Sequence, residues 1–193
     1  MRSIRIVVMQ VIWMLLIFAY CEAEAADKKE WVKLTDCQYV AQKYNDGDSF
    51  GVKCGTDEYI FRLYFVDAPE TNLRYAERTR EQSEHFGVTL DETMKAGVKA
   101  KEAVRNILQK PFVVWTRWAT AQGRSRVLRY YGFIEIDGKG LAEILVSMGL
   151  ARTKGMIVKL PTGEKSKVYV ERLHALERDA QQRGIGIWAG SKK

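Results

Sequence analysis

Asp46, Asp48, Arg62, Asp67 and Glu70 have the side chains and spacing best suited to chemistry, and all five lie between residues 45 and 71. The stretch opens with Asn45-Asp46-Gly47-Asp48-Ser49 and closes with Phe61-Arg62-Leu63-Tyr64-Phe65-Val66-Asp67-Ala68-Pro69-Glu70-Thr71. Carboxylates held close together repel, and a fold that gathers several supplies a cation. An arginine in an otherwise apolar strand needs an anion to face, and phosphate matches its planar fork. Oxygen ligands for a hard metal beside an arginine for phosphate point to phosphodiester chemistry.

The elements around these residues must bring them together. Residues 39–44 and 49–54 read as strands flanking Asp46-Gly47-Asp48, with Gly47 supplying the positive φ that a tight hairpin favours. Residues 59–66 read as a third strand, rich in aromatic and branched side chains. Parity sets a condition here. Arg62 and Asp67 are five apart, so an unbroken strand sends them to opposite faces, and one shared site requires the strand to bend or end between them. Pro69 favours an ending, because it cannot continue a ladder and keeps Ala68 extended.

In this order and spacing, the two motifs resemble the staphylococcal nuclease (thermonuclease-like) family. Gly149-Leu150-Ala151-Arg152 and the terminal Ile185-Gly186-Ile187-Trp188 extend the likeness over most of the chain beyond Cys37. The resemblance implies a Ca2+ site made by Asp48, Asp67 and the backbone carbonyl of Ala68, with Asp46 just behind and Glu70 as general base. It also implies that Arg62 and a second arginine hold the phosphate of DNA or RNA, with 3′-phosphate ends as products. Arg124 and Arg129 compete for that second role. Arg124 follows a glycine as the family's residue does, whereas Arg129 lies the right distance before the Asp137-Gly138-Lys139 turn. Strand length in a small barrel is harder to change than a loop, which favours Arg129. One departure from the family stands out: Thr153, Lys154 and Gly155 occupy positions where an aromatic lining for a base is expected.

Residues 71–88 are polar, with arginines and glutamates interleaved, and read as a solvated loop or an extra helical turn. Arg74 or Tyr75 is its candidate substrate contact. Thr89-Leu90-Asp91-Glu92 is a capping box opening a helix that Pro111 ends, with Leu90, Met94, Gly97, Val98, Val104, Ile107 and Leu108 on its apolar face. Strands follow at 112–118 and 130–136, then helices at 141–148 and 168–182. The fold class expected is α+β, an OB-fold five-stranded barrel with three packed α-helices.

The chain has 193 residues, a net charge of +7 and a pI near 9.3. Such a balance suits a polyanionic partner. Residues 1–25 read as a secretory signal peptide: Arg2 and Arg5, an apolar run, then Ala23-Glu24-Ala25 before a cut at Ala26. This predicts a secreted or periplasmic monomer formed by residues 26–193, with no membrane association after cleavage. Lipidation at Cys21 is disfavoured by the bulky Tyr20 before it. Cys37 and Cys54 then remain, either paired or as two buried thiols. His85 and His174 read as surface residues. The rival class is a secreted OB-fold module that binds nucleic acid without turnover.

Overall fold

The computed structural model describes residues 30–121 and 127–191. The signal segment, Cys21 and Arg124 lie outside them. The described residues from Val32 onward form one compact unit, which carries every element described here.

Five strands make the barrel: β1 (Val32–Val40), β2 (Ser49–Cys54), β3 (Asp57–Leu63), β5 (Phe112–Thr120) and β6 (Tyr130–Ile136). They run antiparallel in the order β3-β2-β1-β5-β6, and the parallel pairing of β3 with β6 closes the ring. Closure removes the free edges and leaves a core of Phe50, Val52, Phe61, Val114 and Ile134, all buried. A short β7 (Lys139–Gly140) extends β6, while β4 (Val66–Asp67) pairs outside the barrel with β8 (Arg152–Thr153). This is the OB-fold α+β architecture expected from the sequence.

Four helices surround the barrel in the described residues, one more than expected: α1 (Ala76–Phe86), α2 (Leu90–Ile107), α3 (Leu141–Ser147) and α4 (Ser166–Gln182). The addition is α1, in the segment read as solvated. A 3-10 turn at Leu73–Tyr75 leads into it, and its face of Thr79, Gln82, Ser83 and Phe86 is buried. Periodicity understated this helix because three of the four inward residues, Thr79, Gln82 and Ser83, are polar. Phe86 packs with Ala96, Ala180, Ile187 and Trp188, so the terminal apolar residues clasp α1 against α2 and α4. Thr89 and Glu92 form the expected capping box at the start of α2. Its buried face is Thr93, Ala96, Gly97, Ala100 and Val104, whereas Val98 faces solvent. The helix lies close to the backbone beneath it, which selects small residues over the larger apolar ones expected there.

Cys37 and Cys54 form a disulfide, which settles the open pairing. His85 and His174 are exposed, yet both approach Glu177 of α4, at 3.2 and 3.5 Å. Glu177 Oε2, which His174 approaches, also accepts the Thr153 amide at 3.1 Å. Burial alone would raise the Glu177 carboxyl, but the bonds from His85 and Thr153 outweigh it and hold the group below its ordinary value.

Candidate active site at the barrel mouth

The site lies where β2 starts and β3 ends. β1 stops at Val40, earlier than the predicted hairpin arm, and residues 41–48 form the link. Asn45 ties that link to the sheet: its amide donates to the Val40 carbonyl, and its oxygen accepts from the Gly51 amide. Asp46 Oδ1 accepts the amides of Asp48 and Ser49, at 3.1 and 2.6 Å. Burial, with the neighbouring Asp48, pushes its carboxyl well above the ordinary range. Gly47 does not have the positive φ expected of it. A Cβ there would lie 2.7 Å from the Ala100 Cβ and 2.8 Å from the Ala68 Cβ, so close packing on α2 is what requires glycine.

The strand after Arg62 breaks at Phe65, whose φ is 70°. That residue separates β3 from β4 and removes the parity conflict, because Asp67 now belongs to a different strand from Arg62. Arg62 pairs in register with Ser49 on one side and Tyr131 on the other. Its Nη2 donates to Asp48 Oδ2 at 3.0 Å and to Asp67 Oδ1 at 3.3 Å. Asp48 and Asp67, both buried, thus meet at one guanidinium nitrogen. Asp48 Oδ2 also accepts the Ala68 amide at 3.1 Å, and its Oδ1 accepts from Ser49 Oγ at 2.9 Å. Burial would raise Asp48, but Arg62 and Arg78 hold it below the usual carboxylate range. These two acids hold Arg62 firmly charged against the cost of its burial.

Glu70 sits on the loop after β4, and α2 fixes that loop from below. A Cβ on Gly97 would lie 2.5 Å from the Glu70 carbonyl oxygen and 2.6 Å from that of Pro69. The Glu70 amide donates to Gln82 Oε1 at 2.8 Å. Burial pushes its carboxyl above the ordinary value. Arg129, just before β6, has Nη1 3.4 Å from Ser49 Oγ, and its Nε is buried with no hydrogen-bond partner among the described residues. An arginine Nε held this way at a cavity wall suits an anionic ligand.

Three residues of the site were not singled out from the sequence as members of it. Arg78 of α1 reaches across to Asp67 Oδ1, and its Nε lies 2.6 Å from Glu70 Oε1. That second approach is too oblique for a hydrogen bond and counts as an ion pair. Gln82, four residues on and wholly buried, donates to Asp67 Oδ2 at 3.0 Å and to the Ala68 carbonyl at 2.9 Å. Arg152, buried on β8, donates from Nε and Nη2 to Asp67 Oδ2 and also grips Glu81. Glu81 is thereby lowered to about 2, chiefly by the hydrogen bonds from Arg152. The i, i+4 spacing of Arg78 and Gln82 was the available signal.

A cavity of about 860 Å³ opens over these groups, lined among others by Asp67, Glu70, Arg78, Arg129, Tyr75 and Tyr131. Tyr131 stacks on Tyr64 with ring centroids 5.0 Å apart. Lys154 and Gly155 line it too, in keeping with the departure from the family's aromatic lining seen at these positions in the sequence. Arg74 does not line it.

The sequence model of the family described as staphylococcal nuclease homologue matches residues 60–190. The chain belongs to this family. The matched span takes in Arg62, Asp67, Ala68, Glu70 and Arg129, while Asp46 and Asp48 precede it. A comparison with curated proteins finds no match. Membership and the closed barrel agree on a nuclease-like fold.

Two carboxylates and a backbone carbonyl are donor types that suit a hard divalent cation, while no group of three or more histidine, cysteine or acidic side chains that could hold a metal ion is gathered among the described residues. Asp48 Oδ2 and Asp67 Oδ1 both lie within reach of one guanidinium nitrogen, and the Ala68 carbonyl follows directly in the chain. Anionic oxygens with one carbonyl are the donors calcium prefers.

Proposed function

We propose that this protein is a calcium-dependent phosphodiesterase that hydrolyses DNA, with RNA as a second substrate, to products with 3′-phosphate ends. The observation that carries the reading is the convergence of Asp48, Asp67 and Arg62 on one point beside Glu70, in a cavity with an unpartnered arginine nitrogen. A module that only binds nucleic acid has no need of paired buried carboxylates.

Asp48, Asp67 and the Ala68 carbonyl would hold the ion, which when bound makes a phosphate phosphorus more electrophilic. Glu70 orients the attacking water and accepts its proton, a role to which its raised carboxyl is suited. Arg62 and Arg129 hold phosphate oxygens and stabilise charge that grows in the transition state. Residues 1–25 direct export, and residues 26–193 act as a monomer outside the cytoplasm, where calcium is plentiful.

A second reading, a binding module without turnover, draws on the ion pair that engages Glu70 with Arg78. Glu70→Gln separates the two. We expect turnover on single-stranded DNA to fall about a hundredfold or more, while DNA affinity changes little. Equal losses in rate and affinity would favour the binding module.

A further inference from the structure

Resting on that reading, Arg78 is a cation that touches the site's carboxylates and to which it gives no role. Arg78 projects from α1, and its guanidinium spans the three carboxylates that matter most. It contacts Asp67 Oδ1, stands 4.0 Å from Asp48 Oδ2, and holds Glu70 Oε1 at 2.6 Å. The other two arginines that meet Asp67 are built in: Arg62 lies in the barrel ladder and Arg152 pairs with both Asp67 and Glu81 on a buried strand. Arg78 comes from the solvent side, and its side chain is 36% exposed against 15% for Arg62 and 2% for Arg152. Of the three, it is the one that can swing clear without breaking the barrel.

The same carboxylate oxygens cannot serve two cations at once. A divalent ion between Asp48 Oδ2 and Asp67 Oδ1 would lie against the Arg78 guanidinium, and like charges at that range repel. Glu70 is a weaker acceptor for a proton from water while its Oε1 is paired with Arg78.

We propose that Arg78 is a displaceable counter-charge: a divalent cation and the Arg78 guanidinium compete for Asp48 and Asp67, and binding of the ion releases Glu70. Arg78 is thus a positioning residue that couples ion binding to the freeing of the base. Its docking lowers the apparent affinity for the ion by the fraction of time the site is open. If Arg78 is docked about nine-tenths of the time, its removal tightens calcium binding about tenfold.

Calorimetric titration of calcium into the disulfide-bonded protein tests this, comparing the unsubstituted chain with Arg78→Gln and Arg78→Lys. We expect Arg78→Gln to bind about tenfold more tightly and Arg78→Lys to stay within a few-fold of the unsubstituted chain. We also expect the calcium-induced rise in Tm to be larger for Arg78→Gln. Equal or weaker binding by Arg78→Gln overturns the proposal and leaves the calcium reading intact. Binding by Arg78→Gln but not by the unsubstituted chain upholds the competition and overturns calcium dependence of the natural protein. No binding by any of the three overturns both. An Arg78→Gln chain that folds only with calcium present supports the proposal, and one that folds in neither condition overturns it.

Discussion

At the scale of single residues, the candidate site is a balance of charges. Asp67 alone meets Arg62, Arg78 and Arg152, with Gln82 on its second oxygen. Such a buried carboxylate keeps its place only while its partners remain, because an unpaired buried charge is costly. The arginines divide by what they face: Arg152 is consumed by Asp67 and Glu81, whereas Arg129 has a buried Nε with no described partner. The choice between Arg129 and Arg124 is therefore testable. We expect Arg129→Ala to lose about a hundredfold or more in kcat, the usual cost of one transition-state donor, and Arg124→Ala to keep most activity. Steady-state rates on single-stranded DNA for both variants decide it, and full activity in Arg129→Ala would overturn the assignment.

At the scale of elements, the pairing of the first two strands, the need for a break between Arg62 and Asp67 and the later strands were legible, whereas the tight turn expected at Asp46-Gly47-Asp48 is a longer link over residues 41–48. Pro69 marks where β4 stops, but the strand expected over 59–66 ends earlier, at Leu63, because the chain turns at Phe65 with a positive φ that no sequence signal announced. The added helix was not legible as part of the site. Arg78 and Gln82 look like surface residues in sequence, and only the approach of α1 to β4 turns them inward. Gly47 was misread, and Gly97, placed correctly on the buried face, was not seen to need its glycine: each is required by a neighbouring element that comes close, which no local pattern reveals. Arg152 belongs with them, since its partner Asp67 is brought beside it by the β4–β8 pairing. The packing of α2 on the Pro69–Glu70 backbone also yields a prediction. Gly97→Ala puts a Cβ 2.5 Å from the Glu70 carbonyl oxygen, so the loop or the helix must shift. We expect a stability loss of about 1–3 kcal/mol, the usual cost of overpacking, seen as a lower Tm. Activity should fall by more than the unfolded fraction accounts for, because Glu70 moves with its backbone. A Gly97→Ala protein with unchanged Tm and rate would contradict this account of how Glu70 is held.

At the scale of the molecule, a closed barrel, a disulfide across its first hairpin and a terminal clasp on α1 hold the site from three sides. The Cys37–Cys54 bridge closes a short loop, with a sequence separation of 17. Its removal as a Cys37→Ala, Cys54→Ala pair should cost about 3 kcal/mol, measured by denaturant unfolding with both proteins oxidised. No change in the midpoint would mean that the bridge adds nothing to the fold. The central claim concerns what the assembled site does, and it is tested most directly by incubating the purified, disulfide-bonded protein with single-stranded DNA. One sample carries calcium, a second carries a chelator, and a third has calcium restored after chelation. We expect cleavage to 3′-phosphate ends in the first, none in the second and recovery in the third; cleavage that persists in chelator, or none in calcium, would contradict the account.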